Sequence, residues 1–245
     1  MNKNILISFI FNLFFLQITV AEANNHSFLL NSKTTNQQNS AIFIQIFKQE
    51  GVLELYQKAP NGKYNLSKTY PICKFSGGLG PKKREGDLKS PEGFYQITAS
   101  QLNPNSRYYR SINLGFPNEY DRAQGYEGNY LMIHGDCVSV GCYAMTDKYM
   151  SEIYQTVESA FKSGQNTIDV SIYPFRMTKE NMLIHRNSSH YAFWQQLKPA
   201  YDYFQDAGKP AQISVTSGKY AVNSLPERSD TLLRLRSQYT LAEVK

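Results

Sequence analysis

The stretch HGDCVSVGCYAMTD, from His134 to Asp147, sets one imidazole and two thiols within nine residues. Three chemistries use that set. A metal site would take His134, Cys137 and Cys142 as soft ligands. Their spacing matches no familiar zinc finger, and no fourth ligand lies nearby in sequence, so no metal and no other cofactor is expected. A disulfide would join Cys137 to Cys142 or to Cys73; the chain has three cysteines, so at least one thiol is left over in any intramolecular pairing. A nucleophile would need its thiolate made available. An ordinary cysteine is only about 3% ionised at pH 7, and a neighbouring imidazole raises the reactive fraction. The stretch suits that third use. His134 ends an apolar run, and Cys142 lies just before a helical pattern, where free N–H groups and the helix dipole favour a thiolate. Gly135 and Gly141 remove side-chain bulk where a substrate backbone would approach, and the N–H groups around Gly141 and Cys142 could face a developing oxyanion. The other histidines are weaker candidates for the base: His26 is in a polar lead-in, and His185 and His190 fall on helical patterns.

The elements around this stretch are legible as patterns. AIFIQIF and VLELYQ alternate and are rich in β-branched and aromatic residues, so they form a hairpin about Lys48–Gly51. Asn61-Gly62 marks a second tight turn, leading into YNLSKTYPICKF. GFYQITA and NYLMIHG are further strands, and the second runs into His134. NPNSRYY and GFPNEYDRAQGYEGN look irregular, and long loops in a compact domain are often functional. After Asp147, a plausible N-cap, the period changes to helical, with Met150, Ile153, Tyr154, Val157, Ala160 and Phe161 on one face and Gly164 as the stop. TIDVSIYPF is a strand. Residues 178–187 and 189–206 form two helices, the second of which Pro199 should kink or end. QISVTS is a last strand, and the tail from Asn223 is polar. The fold class is therefore α+β, a β-rich front carrying the unusual motif followed by helices.

The first residues bound the compartment. Lys3 precedes an apolar run from Ile5 to Val20, and Ala21-Glu22-Ala23 has the form of a signal-peptidase site. That run is short for a membrane span, so residues 1–23 are expected to be a cleaved secretory signal, and no stable membrane span is expected. Residues 24–40, rich in Asn, Ser, Thr and Gln, are expected to be a flexible lead-in. Export implies an oxidising compartment, in which cysteines usually pair. A bridge between Cys73 and Cys137 would leave Cys142 free. The formal net charge of +6 is modest. No Lys/Arg stripe is interleaved with aromatics, so nucleic acid is not expected as a partner, whereas an anionic extracellular polymer is compatible.

His134-Gly135 followed by Ser139-Val140-Gly141-Cys142 resembles the H-G…S-x-G-C signature of the L,D-transpeptidase catalytic domain, the YkuD-type family. Ser90-Pro91-Glu92-Gly93-Phe94-Tyr95 is similar to that family's upstream element. Pro117–Asp121 and Cys137–Asp147 resemble one subgroup, the exported murein L,D-transpeptidase-like proteins. The resemblance implies a β-rich catalytic domain with a mixed-sheet, sandwich-like core over residues 41–175, followed by a helical C-terminal extension over 176–245. It implies peptidoglycan stem peptides as substrate, a periplasmic or cell-envelope location, and a place in cell-wall biogenesis and cell shape. By position it makes Cys142 the nucleophile and His134 the general base, with the Gly135 carbonyl orienting the imidazole. Ser139 and Gly141 would belong to the pocket wall and oxyanion region. Attack at the L centre of the third stem residue gives an acyl-enzyme that an amine acceptor resolves. Many family members carry His where this chain has Val140. That departure, with the subgroup resemblance, keeps open a hydrolase that detaches a peptidoglycan-linked lipoprotein from the stem peptide. A non-catalytic wall-binding module is the third reading. Arg107, Arg122 and Tyr130 are candidates for gripping substrate carboxylates or shaping the cleft.

Overall fold

The computed structural model describes residues 40–223. The expected signal sequence, the lead-in up to residue 39 and the tail from residue 224 lie outside the described residues. In chain order the first strands are β1 (Ile42–Phe47), β2 (Val52–Lys58), β3 (Tyr64–Pro71), β4 (Gly93–Ile97), β5 (Leu102–Asn103) and β6 (Ser111–Asn113). Helix α1 (Glu119–Ala123), β7 (Met132–His134), β8 (Tyr143–Ala144), α2 (Asp147–Lys162) and β9 (Ile168–Tyr173) follow. Helices α3 (Lys179–Ile184) and α4 (Tyr191–Ala207) and the hairpin β10 (Ile213–Thr216) and β11 (Lys219–Val222) complete the described chain.

Five strands form a mixed sheet in the order β3-β2-β1-β9-β4, and four short ones form a second sheet in the order β5-β6-β7-β8. β1 lies at the centre of the larger sheet, antiparallel to β2 and parallel to β9. A central strand covered on both faces has no polar side, which is why IFIQIF is buried along its whole length. Ile42, Ile44 and Ile46 join Ile112, Ile133 and Tyr143 of the second sheet and Met150, Ile153 and Val157 of α2 in one core. Burying a side chain such as Ile153 contributes roughly 1.5–3 kcal/mol. On the opposite face Phe47 packs with Tyr173 and with Trp194, Leu197 and Tyr201 of α4. The C-terminal helical region thus lies against the larger sheet, within an α+β fold.

Three local expectations needed correction. The N-cap of α2 is Thr146, not Asp147: Thr146 is extended and its side chain accepts from the Tyr149 N–H. Asp147 is freed for another contact, described below. Pro199 does not end α4, which runs on to Ala207 and closes at the left-handed Gly208. The helix continues because residues on both sides of the proline, Trp194, Leu197, Tyr201 and Phe204, are buried, and packing outweighs the local cost of the missing N–H. Finally, the irregular-looking stretch GFPNEYDRAQGYEGN holds α1, and β6 lies in the segment between the two irregular-looking stretches. Three residues give β6 no periodicity to detect, and α1 is one turn closed by a capping box in which Asn118 and Asp121 exchange hydrogen bonds. Among the described residues no helix is long and apolar enough to cross a membrane.

Candidate active site

Parallel pairing of β7 with β8 sets His134 on the strand beside the one that Cys142 precedes. Ile133 lies opposite Tyr143 and His134 opposite Ala144. Ile133 and Tyr143 point into the core, so alternation turns His134 and the preceding Cys142 to the other face. Their backbones are offset by about 4.8 Å across the ladder and about 6.6 Å along it, a gap that an imidazole and a thiol reaching toward each other can span.

The geometry assigns the tautomer of His134. Its Nδ1 lies 2.6 Å from the Gly135 carbonyl oxygen. A carbonyl only accepts, so Nδ1 carries the proton and Nε2 presents a lone pair. His134 is buried at 2% exposure, and that burial lowers its pKa, opposed by the Gly135 bond and the charge of Asp136. Cys142 is the free cysteine and is 8% exposed. Burial raises its pKa, opposed by a backbone hydrogen bond from Met132 and the charge of Lys82. Both shifts favour the neutral forms, a thiol at Cys142 and an imidazole at His134. We expect kcat/KM to fall on acidification through a limb lying below 6.5, the ordinary imidazole value, because the lowered pKa keeps His134 unprotonated further into acid. A limb at or above 6.5 in a pH–rate profile would contradict it.

Gly135 has no room for a side chain. A Cβ there would sit 2.5 Å from Asp147 Oδ1 and 3.0 Å from Tyr109 Cβ. Asp147, displaced from the cap position, accepts the Asp136 N–H at 2.8 Å, and the Gly135 N–H donates to the carbonyls of Tyr108 and Arg110. Gly135→Ala should therefore swing the orienting carbonyl and lower kcat by about tenfold to a hundredfold, as ångström-scale misplacement of a catalytic group does. Unchanged kcat with an unchanged melting temperature would refute that.

The residues expected to line the pocket do other work. Ser139 Oγ donates to the Cys142 carbonyl at 2.7 Å, and Ser90 Oγ donates to the same oxygen at 3.1 Å. The Gly141 N–H donates to Ser76 Oγ at 2.6 Å, so it is not offered to an oxyanion. These polar groups hold the backbone around Cys142. Gly141 has φ +98°, a conformation open to glycine, and a Cβ would meet Leu131 and the Lys89 carbonyl within 3.3 Å. Ser76 was not anticipated; the Ser90 N–H donates to its carbonyl at 3.1 Å, a contact that no sequence pattern shows.

The Ser90–Tyr95 element lies behind Cys142. Tyr143 OH donates to the Pro91 carbonyl at 2.6 Å. Glu92 accepts from Lys48 Nζ at 2.9 Å, from the Gly80 N–H at 2.6 Å and from Trp194 Nε1 at 2.8 Å. Both Lys48 and Glu92 side chains are wholly buried. The Lys48 ammonium also donates to the carbonyls of Gly80 and Ser90. This cross-link joins β1, the 77–92 loop and α4 beneath the nucleophile.

Cys73 and Cys137 form a disulfide, with Cα atoms 5.4 Å apart. This removes Cys137 as a metal ligand, and among the described residues no cluster of three or more His, Cys, Asp and Glu could hold a metal. The bridge pins the 135–141 loop to the end of β3, where Cys73 and Lys74 also donate to the Ala144 carbonyl. Alkylation of unreduced protein should label one thiol, Cys142, and replacing Cys73 and Cys137 together by Ser should cost about 4 kcal/mol from loop closure over a separation of 64 residues. Three labelled thiols without reductant would refute the pairing.

The rim is apolar and strained. Tyr109, Tyr130, Val138 and Val140 are exposed, and the Tyr130 carbonyl lies 3.6 Å from Cys142 Sγ. Tyr109, Tyr130, Asp136 and Cys137 all have positive φ, which non-glycine residues keep only where surrounding structure imposes it, commonly at functional sites. Tyr108 stacks on the His134 ring, centroids 4.7 Å apart. Arg107 donates to the Tyr108 hydroxyl at 2.7 Å. Arg122 is not at this rim; it lines a separate groove and donates to the Pro117 carbonyl.

The family model described as the L,D-transpeptidase catalytic domain, YkuD, matches residues 42–213. The chain belongs to the YkuD family. It is 55% identical over 216 residues, 87% of each chain, to a protein of Escherichia coli (strain K12) named "Putative L,D-transpeptidase YafK". Among solved structures it is similar to the Campylobacter jejuni helical cell shape determining protein Pgp2, as the K307A mutant, at 22% identity and TM-score 0.46, covering 68% of this chain and 56% of that one. It is also similar to Mycobacterium tuberculosis L,D-transpeptidase 1, at 10% identity and TM-score 0.31, covering 54% and 62%.

Proposed function

We propose that this YkuD-family chain is an exported, cysteine-dependent L,D-transpeptidase that acts on peptidoglycan stem peptides in the periplasm or cell envelope. The observation that carries the reading is the free Cys142 thiol on one face of a parallel ladder with an imidazole whose Nδ1–H is tied to the Gly135 carbonyl. His134 Nε2 takes the thiol proton as Sγ attacks the carbonyl of the third stem residue at its L centre. The C–N bond to the following residue then breaks, the leaving amine takes the proton from His134, and a thioester remains on Cys142. An amine acceptor enters, gives a proton to Nε2 and displaces the thiolate, forming a new amide.

A hydrolytic variant of the same chemistry has one observation in its favour. Val140, beside the nucleophile, is 76% exposed and offers no imidazole to deprotonate or orient an acceptor amine. In that variant water resolves the thioester, and a lipoprotein joined to the stem peptide is released rather than a crosslink formed. Incubation of the protein with tetrapeptide-stem and lipoprotein-linked muropeptides, with products read by mass spectrometry, separates the two. New dimers establish transfer. Shortened or detached products without dimers establish hydrolysis. Neither product from folded protein with a free thiol sinks both and leaves the wall-binding module.

A further inference from the structure

A groove of about 810 Å³ opens on the α4 side of the larger sheet, and neither Cys142 nor His134 lines it. Its floor is polar. Asp169 and Ser171 of β9 and Gln96 of β4 lie side by side there, and Gln96 Nε2 donates to Asp169 Oδ1 at 2.8 Å. Asp169 and Tyr64 both line the groove; burial raises the Asp169 pKa, and burial together with the Asp169 charge raises that of Tyr64. A perturbed carboxyl among convergent polar groups in a groove of ligand size marks a binding site. The polar strip continues inward. Register sets Gln45 opposite Ser171, and the Gln45 amide is fully buried with neither its donor nor its acceptor satisfied by the protein. Such orphaned groups are rare in native folds and call for a reason.

The groove also indicates what it takes. β4 is the edge of the sheet, yet its outward groups at Phe94 are already capped. The Asn118 amide donates to the Phe94 carbonyl at 2.8 Å, and the Phe94 N–H donates to Tyr220 OH at 3.4 Å. An added peptide strand would need those groups, so recognition must come from side chains. What remains is planar amide and carboxyl groups beside the half-buried ring of Tyr64, since Tyr220 is already stacked on Tyr120. Such groups match ring hydroxyls and N-acetyl amides edge-on and sugar faces by stacking. Exposed Lys58, Lys209 and Arg122 at the margin add positive charge.

We propose that this groove is a second binding site, for a carbohydrate strand of N-acetylated amino sugars carrying carboxylates. It rests on the proposed function in one respect: the strand would be the glycan of the polymer whose peptides reach Cys142, so the groove would hold the enzyme on the wall while the opposite side turns over. Binding is read without turnover, which separates the two claims.

The test uses the folded full-length mature chain and two peptide-free probes, an N-acetylglucosamine tetrasaccharide and wall glycan stripped of its stem peptides. Amide shifts in a titration should map to residues 94–96, 169–171 and 209–215, with tighter binding to the anionic stripped glycan and loss of that preference at high salt. Asp169→Ala and Tyr64→Ala should each weaken binding at least tenfold. Lys58→Glu with Lys209→Glu, both exposed and away from the core, should abolish the anionic preference while leaving the melting temperature and turnover of a soluble peptide substrate unchanged. Shifts confined to the Cys142 rim, no binding of either probe, or binding of a free stem peptide to the groove in place of glycan would each overturn the proposal.

Discussion

Cys142→Ala should lower kcat/KM on a stem-peptide substrate by about a thousandfold or more while leaving the melting temperature within a degree or two. The expected loss is large because the proposed chemistry is covalent: without Sγ no thioester forms, and what survives is binding alone. The expected stability change is small because the thiol's hydrogen bond to the Tyr130 carbonyl is long, 3.6 Å, and a one-atom truncation leaves little cavity. Cys142→Ser is the more informative partner. The hydroxyl keeps the shape but is a far weaker acid than a thiol, so His134 has much less to gain by taking its proton, and kcat should fall nearly as far. His134→Gln should be equally damaging. The double variant should be scarcely worse than either single one, since the two groups act as a unit. Steady-state kinetics on a soluble muropeptide checks all four proteins. Additive losses in the double variant would mean that His134 and Cys142 do not share a step.

Glu92→Ala should be the most destabilising single change away from the reacting atoms. It leaves the Lys48 ammonium wholly buried without its counter-charge and strips the Gly80 N–H and Trp194 Nε1 of their acceptor. Breaking a buried pair from one side costs about 3–5 kcal/mol, which in a chain of this size lowers the melting temperature by about 10 °C. Burial already lowers the Lys48 pKa, with Glu92 the main opposing influence. The Glu92→Ala protein should therefore hold the Lys48 pKa lower still and recover part of its stability as pH rises. Removing both charges with Lys48→Met and Glu92→Leu should cost much less than Glu92→Ala, since two well-packed apolar side chains need no counter-charge. A double variant less stable than either single one would show that the pair contributes through charge itself. Because Ser90, two residues away, donates to the Cys142 carbonyl, Glu92→Ala should also lower kcat at temperatures where the protein remains folded.

Tyr108 gives a subtler effect on the same base. Its ring covers the face of His134, and an imidazolium forming in the reaction gains from an aromatic face. Tyr108→Leu should move the acidic limb of the pH–rate profile lower still and reduce kcat, and Tyr108→Phe should restore both. A limb unmoved by leucine would reduce the stack to packing.

The site was more legible than the frame that supports it. His134, Gly135 and Cys142 stand out because reactive residue types beside glycines are rare and close in sequence. The hairpin β1–β2 and helix α2 follow from period alone, since long regular elements bury one repeating set of side chains. The support was hidden for physical reasons. Ser76, Lys48 and Tyr108 meet the site across separations of tens of residues, and only the folded register brings them there. Ser139 and Gly141 were recognised by position, but their hydrogen bonds to the Cys142 carbonyl and to Ser76 were not. Sequence shows that a hydroxyl or an N–H is present, not whether it turns toward substrate or toward a backbone carbonyl. The Thr146 cap could have been read, because Thr is also among the preferred caps; choosing Asp147 overlooked the Asp136 N–H that its carboxylate accepts from.

The most direct test of the central claim is to mix the protein with a tetrapeptide-stem muropeptide, quench in acid, and read intact mass followed by peptide mapping. The account expects a thioester adduct on the peptide containing Cys142, with the mass of the muropeptide less its terminal residue. That adduct should be absent in Cys142→Ala and slow to form in His134→Gln. An adduct on another residue, or turnover by Cys142→Ala at the wild-type rate, would contradict it.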